Sequence, residues 1–485
     1  MSPTAIGLDV GTSATKGIAL DSDGTVLARA EVAYPLSTPR PGWSEQDPEH
    51  WWRASETVLA QLRRDTGEPS GIGLSGQMHG LVALDAADRV LRPAILWNDQ
   101  RTAAECEEIE QTIGAERLIA LTGNRALTGF TAPKLLWLRH HEPGVHERIA
   151  HVLLPKDYVR LRLTGEYATD VADASGTLWL DVGARRWSDE VLSGLEVDAA
   201  WLPRVLESPA LSGTTREGAI PVAAGAGDQA AGALGVGVVR PGEALSVVLG
   251  TSGVVFAATE GFAPDARGRV HAFAHAVPGS WHTMGVVLSA AGSLSWLRDA
   301  IAPDSGFADL LATAEGWPPG TENLSFLPYL AGERTPHADP NARGAFTGLS
   351  LRHDRGALVR AVLEGVAFAL RDALDLVGAD PGVVGRVSGG GARSELWLQI
   401  LASVLEIELE RPAADEGAAF GAALLGGVAG GMWADAREAV AAAVRPAGAR
   451  VQPVCAWVEP YREAIARYRG LYPALRDARP LAGGR

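Results

Sequence analysis

Two stretches of this chain place glycine, threonine and serine side by side at the end of an apolar run. Asp9-Val10-Gly11-Thr12-Ser13 follows Ala5–Leu8, and Leu249-Gly250-Thr251-Ser252-Gly253 follows Ala244–Val248. Each reads as a strand entering a tight polar turn, whose N–H groups and hydroxyls suit an anion. One such turn carries little information. A copy in each half points to a nucleotide gripped between duplicated domains. Asp9 ends the first strand and is placed to hold Mg²⁺ through water while the turn holds phosphate. The alternative is an Asp that only caps its turn. Lys16 follows the same turn. Of 43 basic residues only Lys16, Lys134 and Lys156 are lysines, so each stands against a strong arginine preference.

Asp228 is the second carboxylate of interest. It ends the apolar stretch at 221–224 and its Gly225-Ala226-Gly227 turn, ahead of a helix made almost wholly of Ala and Gly. A carboxylate there could take the proton of a hydroxyl attacking the γ-phosphate; the plainer reading is a helix N-cap. Gln77, Met78 and His79 lie between Gly76 and Gly80, in a loop that can press on a small polar ligand. Trp97 could form the apolar wall of a sugar site or be a core residue. Gly389, Gly390 and Gly391, before Ala392, would let an adenine or ribose lie against backbone, without the spacing of a Walker or Rossmann loop. The polar loop Gly332-Glu333-Arg334-Thr335-Pro336-His337 suggests no role by its residues alone.

The elements that must carry these groups alternate in type. Strands are expected at 5–8, 15–20 and 26–32, with a hairpin turn at Asp21–Gly24. A helix starts at Asp47-Pro48, where Asp is a good N-cap and Pro a good first-turn residue. Strands at 72–74, 81–84 and 221–224 frame helices at 100–112, 132–140, 155–163 and 188–195, with a small-residue helix at 229–236. Pro241-Gly242 is a plausible hinge. Beyond it, strand–turn–strand recurs at 244–257, with helices at 286–301, 354–378, 393–405 and 416–429 and a strand at 383–388. Such interleaving indicates an α/β protein of two domains, 1–240 and 241–485.

Composition excludes several function classes. At 485 residues, 47% hydrophobic and 21% charged, the chain has the profile of a globular protein too long for one core. A net charge of −15 argues against non-specific nucleic-acid binding and against a polybasic membrane patch. The uncharged stretch Gly417–Trp433 is rich in Gly and Ala and reads as a close-packed helix and turn, not a membrane span. Cys106 and Cys455 form no metal or disulfide motif. A core strand so near the first residue leaves no room for a signal peptide, and a cytoplasmic location is expected.

Taken together, the sequence resembles the FGGY family of carbohydrate kinases, within the actin/hexokinase-like superfamily, from Ile6 to about Gly426. The carrying stretches are Trp43–Pro48, Gly76–Gly80, Leu96–Asp99, Leu154–Tyr158, Leu249–Gly253, Pro328–His337 and Gly389–Ser394. The resemblance implies two duplicated ribonuclease H-like domains with a nucleotide cleft between them. It implies ATP-dependent phosphorylation of a ketose, D-xylulose, with Asp228 as base. Gln77, Met78, His79, Trp97 and Gln229 would line the sugar site. Gly11, Thr12, Ser13 and Lys16 with Gly250, Thr251 and Ser252 would hold the ATP phosphates. Gly389–Ala392 would face the adenosine, and Asp9 would organise Mg²⁺. By analogy with dimeric members it implies a homodimer. Two alternatives stay open: a kinase for ribulose, glycerol or another polyol, and a non-catalytic ATP-binding switch.

Overall fold

The computed structural model describes residues 3–378, 382–413 and 416–477. Residue contacts divide the chain into two compact units. The first comprises Met1–Pro241, Ala258–His282 and Glu416–Arg445; the second comprises Gly242–Ala257, Thr283–Asp415 and Pro446–Arg485.

The first unit is built on a mixed sheet with strand order Leu211–Thr214, Pro221–Ala223, Gly71–Gly76, Thr4–Val10, Ala14–Asp21, Val26–Ala33. Thr4–Val10 is central and buried on both faces, which its unbroken apolar run requires. Val26–Ala33 is the edge strand, and its side chains alternate between half-buried and exposed. The helix Pro48–Thr66 covers the sheet through Trp51, Val58 and Leu62. Asp47 caps it by accepting from the Glu49 N–H at 2.9 Å, as its sequence position predicts.

The second unit repeats this topology in the order Pro446–Val451, Glu408–Pro412, Val384–Ser388, Ala244–Leu249, Gly253–Thr259, Trp281–Val287. In both units the central strand takes its next strand antiparallel and a distant strand parallel. Thr4–Val10 pairs with Ala14–Asp21 and Gly71–Gly76; Ala244–Leu249 pairs with Gly253–Thr259 and Val384–Ser388. Each Gly-Thr-Ser triplet is therefore the loop of the corresponding hairpin. The core of this unit forms around Arg355–Val377, Glu395–Leu405 and Cys455–Asp477.

Two of the expected helices are placed differently from the sequence reading. The helix expected over 286–301 begins only at Ala291, because the β-branched Val286 and Val287 complete the strand Trp281–Val287. The glycine-rich helix Gly417–Ala429 groups with the first unit. It lies backbone to backbone on the first sheet: a Cβ on Gly73 would be 1.8 Å from the Ala422 carbonyl, and one on Gly7 2.0 Å from that of Ala419. Its Gly421 meets the Ala231 carbonyl of the helix Asp228–Gly235 in the same way. Only a surface of Gly and Ala permits such approach.

Candidate functional site

In the first unit the site begins at the carboxyl end of Thr4–Val10. There Asp9 stands in register with Lys16 on one side and Ser75 on the other. Its Oδ1 is buried and accepts no hydrogen bond. Burial pushes its carboxyl up to about 6, against the pull of the Ser75 hydroxyl and of Lys16.

Asp228 opens the helix Asp228–Gly235, with Gly227 in the capping position. Asp228 is thus the first residue of the helix and not its N-cap, one position on from the plainer reading. Gln229 Nε2 donates to its Oδ1 at 3.3 Å. Burial, with the neighbouring charge of Asp9, pushes the Asp228 carboxyl up to about 7, while contacts from Gln229 pull it down. Two buried carboxylates thus act on one another with raised proton affinities, the condition under which one can serve as a base near neutral pH.

The first turn is held by side chains from across the unit. Trp97 Nε1 donates to Thr12 Oγ1 at 3.0 Å, and Thr12 Oγ1 donates to Gln77 Oε1 at 3.3 Å. Gln77 Nε2 donates to the Gly11 carbonyl and to Gln46 Oε1. Gln46 Nε2 donates to the Thr12 carbonyl at 2.6 Å, and the Tyr34 hydroxyl donates to that of Gly11 at 2.6 Å. Gln77 and Trp97 therefore have a defined task in shaping the turn. Gln46 and Tyr34 were missed by the sequence reading; the signal for Gln46 was its place in Trp43–Pro48. Ser13 and Lys16 remain exposed beside the turn.

Met78 is buried, and a Cβ on Gly227 would be 2.7 Å from its Cγ, so it packs directly below the Asp228 backbone. His79 adopts φ +71°. Its Nδ1 is 2.8 Å from the Gly176 carbonyl, and its ring packs edge-on to Phe130. A carbonyl only accepts, so Nδ1 carries a proton. Gly11, Thr12, Gln77 and Trp97 are thus joined by hydrogen bonds, Asp228 feels the charge of Asp9 and holds Gln229, and Met78 packs on Gly227 just before Asp228.

In the second unit Gly250, Thr251 and Ser252 meet the glycine run. Gly389 has φ +92°, and a Cβ there would be 2.8 Å from the Leu249 carbonyl and 3.0 Å from the Gly250 nitrogen. Glycine is required at that position on both counts. A Cβ on Gly391 would strike Leu249, whereas Gly390 faces open space. Ala392 is buried, and its carbonyl accepts from Arg411 Nε at 2.8 Å. The Ala290 and Gly292 N–H groups donate to the Thr251 carbonyl, and that of Ala291 to Gly250. The polar loop Gly332–His337 anchors the strand that feeds this segment. Glu333 Oε1 accepts from the Leu288 N–H, and Thr335 Oγ1 from that of Val286. Burial pushes the Glu333 carboxyl up to about 8.

Among the described residues no group of three or more His, Cys, Asp or Glu is arranged to hold a metal ion. Among the same residues no helix is long and apolar enough to cross a membrane. Cys106 and Cys455 are free thiols.

Comparison with known proteins gives these sites their context. Residues 4–235 match the N-terminal domain, and residues 245–430 the C-terminal domain, of the FGGY family of carbohydrate kinases. A xylulose kinase from Escherichia coli (strain K12) is 46% identical over 438 residues, spanning 87% of this chain and 90% of that relative. The crystal structure of a "xyloylose kinase" from Brucella ovis is 43% identical with a TM-score of 0.91, covering 98% of this chain and 100% of that one. A gluconate kinase from Lactobacillus acidophilus has a TM-score of 0.92 at 26% identity, covering 98% of each chain, so related folds serve different sugars. With both domain families matched in sequence over most of its length, the chain belongs to the FGGY family of carbohydrate kinases.

Proposed function

We propose that this carbohydrate kinase transfers the γ-phosphoryl group of ATP to D-xylulose, giving D-xylulose 5-phosphate and ADP in the cytoplasm. The observation that carries the mechanism is the Asp228 carboxyl, buried at the first position of its helix and raised to about 7. The choice of sugar is supported by curated relatives named xylulose kinase at 36–46% identity over most of the chain.

Asp228 takes the proton of the attacking sugar hydroxyl as its oxygen bonds to the γ-phosphorus and the bond to the β-phosphate oxygen breaks. Met78, His79, Gln77, Trp97 and Gln229 form the sugar side, all carried by the amino-terminal part of the first unit, residues 1–240. The Gly11–Ser13 turn with Lys16 and the Gly250–Ser252 turn take the phosphates. Gly389–Ala392 take the adenosine in the domain assigned to 241–485. The buried, unpartnered Oδ1 of Asp9 fits a Mg²⁺ ion, which keeps most of its waters and needs only one or two protein carboxylates besides phosphate. When bound, that ion supplies charge neutralisation at the phosphates. We assign the enzyme as a homodimer, which light scattering tests.

The deciding experiment is a panel of ketoses, polyols and gluconate with coupled ADP detection. Preference for D-xylulose supports the reading, and preference for another sugar reassigns the substrate without touching the base. Asp228→Asn should lose about 10²–10⁴-fold in kcat while still binding the ketose. Near-normal turnover of that variant would remove Asp228 from the reaction. Asp9→Asn should raise the Mg²⁺ concentration needed for half-maximal rate, and an unchanged Mg²⁺ profile would take Asp9 out of the metal site.

A further inference from the structure

Two of the three lysines in this arginine-rich chain are completely buried; one touches His79 and the other holds the segment whose turn touches it. Lys134 Nζ donates to the His79 carbonyl at 2.7 Å and to the Gly129 carbonyl at 2.6 Å. Thr131 Oγ1 donates to the same His79 carbonyl at 3.1 Å. A residue other than glycine at φ +71° is strained and persists only where its surroundings hold it there. Two donors on its carbonyl provide that hold. Burial pushes the Lys134 amine well below its ordinary pKa, and even the neutral amine keeps two N–H donors for two carbonyls.

Lys156 acts on the other side of the ring. Its Nζ lies 2.6 Å from Asp157, 2.6 Å from Asp170 and 3.1 Å from Asp173, and all four side chains are fully buried. Asp170 in turn caps the short helix Val171–Ala174 by accepting from the Ala172 and Asp173 N–H groups. That helix continues into the turn Ser175–Thr177, which presents the Gly176 carbonyl to His79 Nδ1. Arg160 closes the cluster through Asp157 at 2.7 Å. A compact ammonium can meet three carboxylates at once, whereas a planar guanidinium of greater bulk cannot take its place without moving them. Lys156 therefore stands where arginine does not serve.

We propose that Lys134 and Lys156 are positioning residues of the sugar site. Lys134 fixes the backbone of His79, and Lys156 fixes the turn that sets its ring, so that the ring keeps one orientation toward the sugar. The inference rests on the reading of His79 as a sugar contact, and its tests separate the two.

In ¹⁵N-labelled wild-type protein His79 Nδ1 is expected to carry a proton; a bare Nδ1 would overturn the proposal whatever the substrate. Lys134→Met and Lys156→Met keep the apolar stem and remove the ammonium. Each should raise KM for the ketose about 10–100-fold while KM for ATP stays nearly constant. Folded variants with unchanged ketose KM, or with both KM values raised alike, would overturn it. If a methionine variant does not fold, Thr131→Val and Gly176→Ala disturb the same two contacts and carry the same expectations. A Cβ on Gly176 would stand 2.3 Å from His79 Nδ1, so that substitution must displace the ring. His79→Leu separates the premises: unchanged ketose KM removes His79 from the sugar site, whereas a raised KM with silent lysine variants removes the brace alone.

Discussion

Asp228 and Asp9 are the two residues on which the pH behaviour of this enzyme turns. Their carboxyls are raised to about 7 and about 6. A base must be deprotonated to act, so kcat/KM should fall on the acid side with a midpoint near 7, measured in the free enzyme's pH–rate profile. A midpoint near the ordinary carboxylate value would show that burial does not tune this group. The same shifts act on stability with a fixed sign. Between the ordinary value of 3.8 and about 7 the folded state binds more protons at these sites than the unfolded chain. Their contribution is therefore fully present below that window and lost as pH rises through it. The kinase gives up stability at neutral pH to keep a base there. Both carboxylates were legible in the sequence because each ends an apolar strand beside glycine. Gln46, Tyr34, Lys134 and Lys156 were not assigned to the site, since their partners Thr12, Gly11, His79 and Asp170 stand up to 55 positions away along the chain.

At the level of elements, the hairpin bearing each phosphate turn was legible from two apolar runs around Gly-Thr-Ser. The start of the helix Ala291–Ile301 was not, because Val286 and Val287 fit either state until pairing decides. No expectation covered the helix Cys455–Asp477, although Tyr461, Ala464, Tyr468 and Tyr472 form a buried stripe on it. Pro460 and Pro473 within the helix mask that periodicity. The glycine-rich helix Gly417–Ala429 offers the sharpest test of packing. Gly73→Ala drives a methyl into the Ala422 carbonyl and should cost about 2–3 kcal/mol in denaturant unfolding. Gly232→Ala, in a helix and facing open space, should be neutral or stabilising by up to about 1 kcal/mol. Equal midpoints for the two variants would show that strand and helix do not touch as described.

On the scale of the whole chain, the first unit is discontinuous. Its sheet comes from the amino-terminal half, yet the helix that covers Gly7, Gly71 and Gly73 comes from residues beyond 416. A fragment ending at residue 240 should therefore expose that glycine face and fail to unfold cooperatively, as judged by calorimetry. A cooperative transition for the fragment would show that 1–240 folds as an independent domain, the division that the sequence suggests. The interleaving also has a consequence for synthesis. A ribosome that has released Pro241 must still add residues 242–415, most of the second unit among them, and then the helix itself before the sheet is covered. At typical elongation rates that delay is roughly 10–40 s. Throughout it the nascent amino-terminal half presents bare sheet backbone, so holding by chaperones during translation becomes part of this enzyme's life before it meets its first sugar.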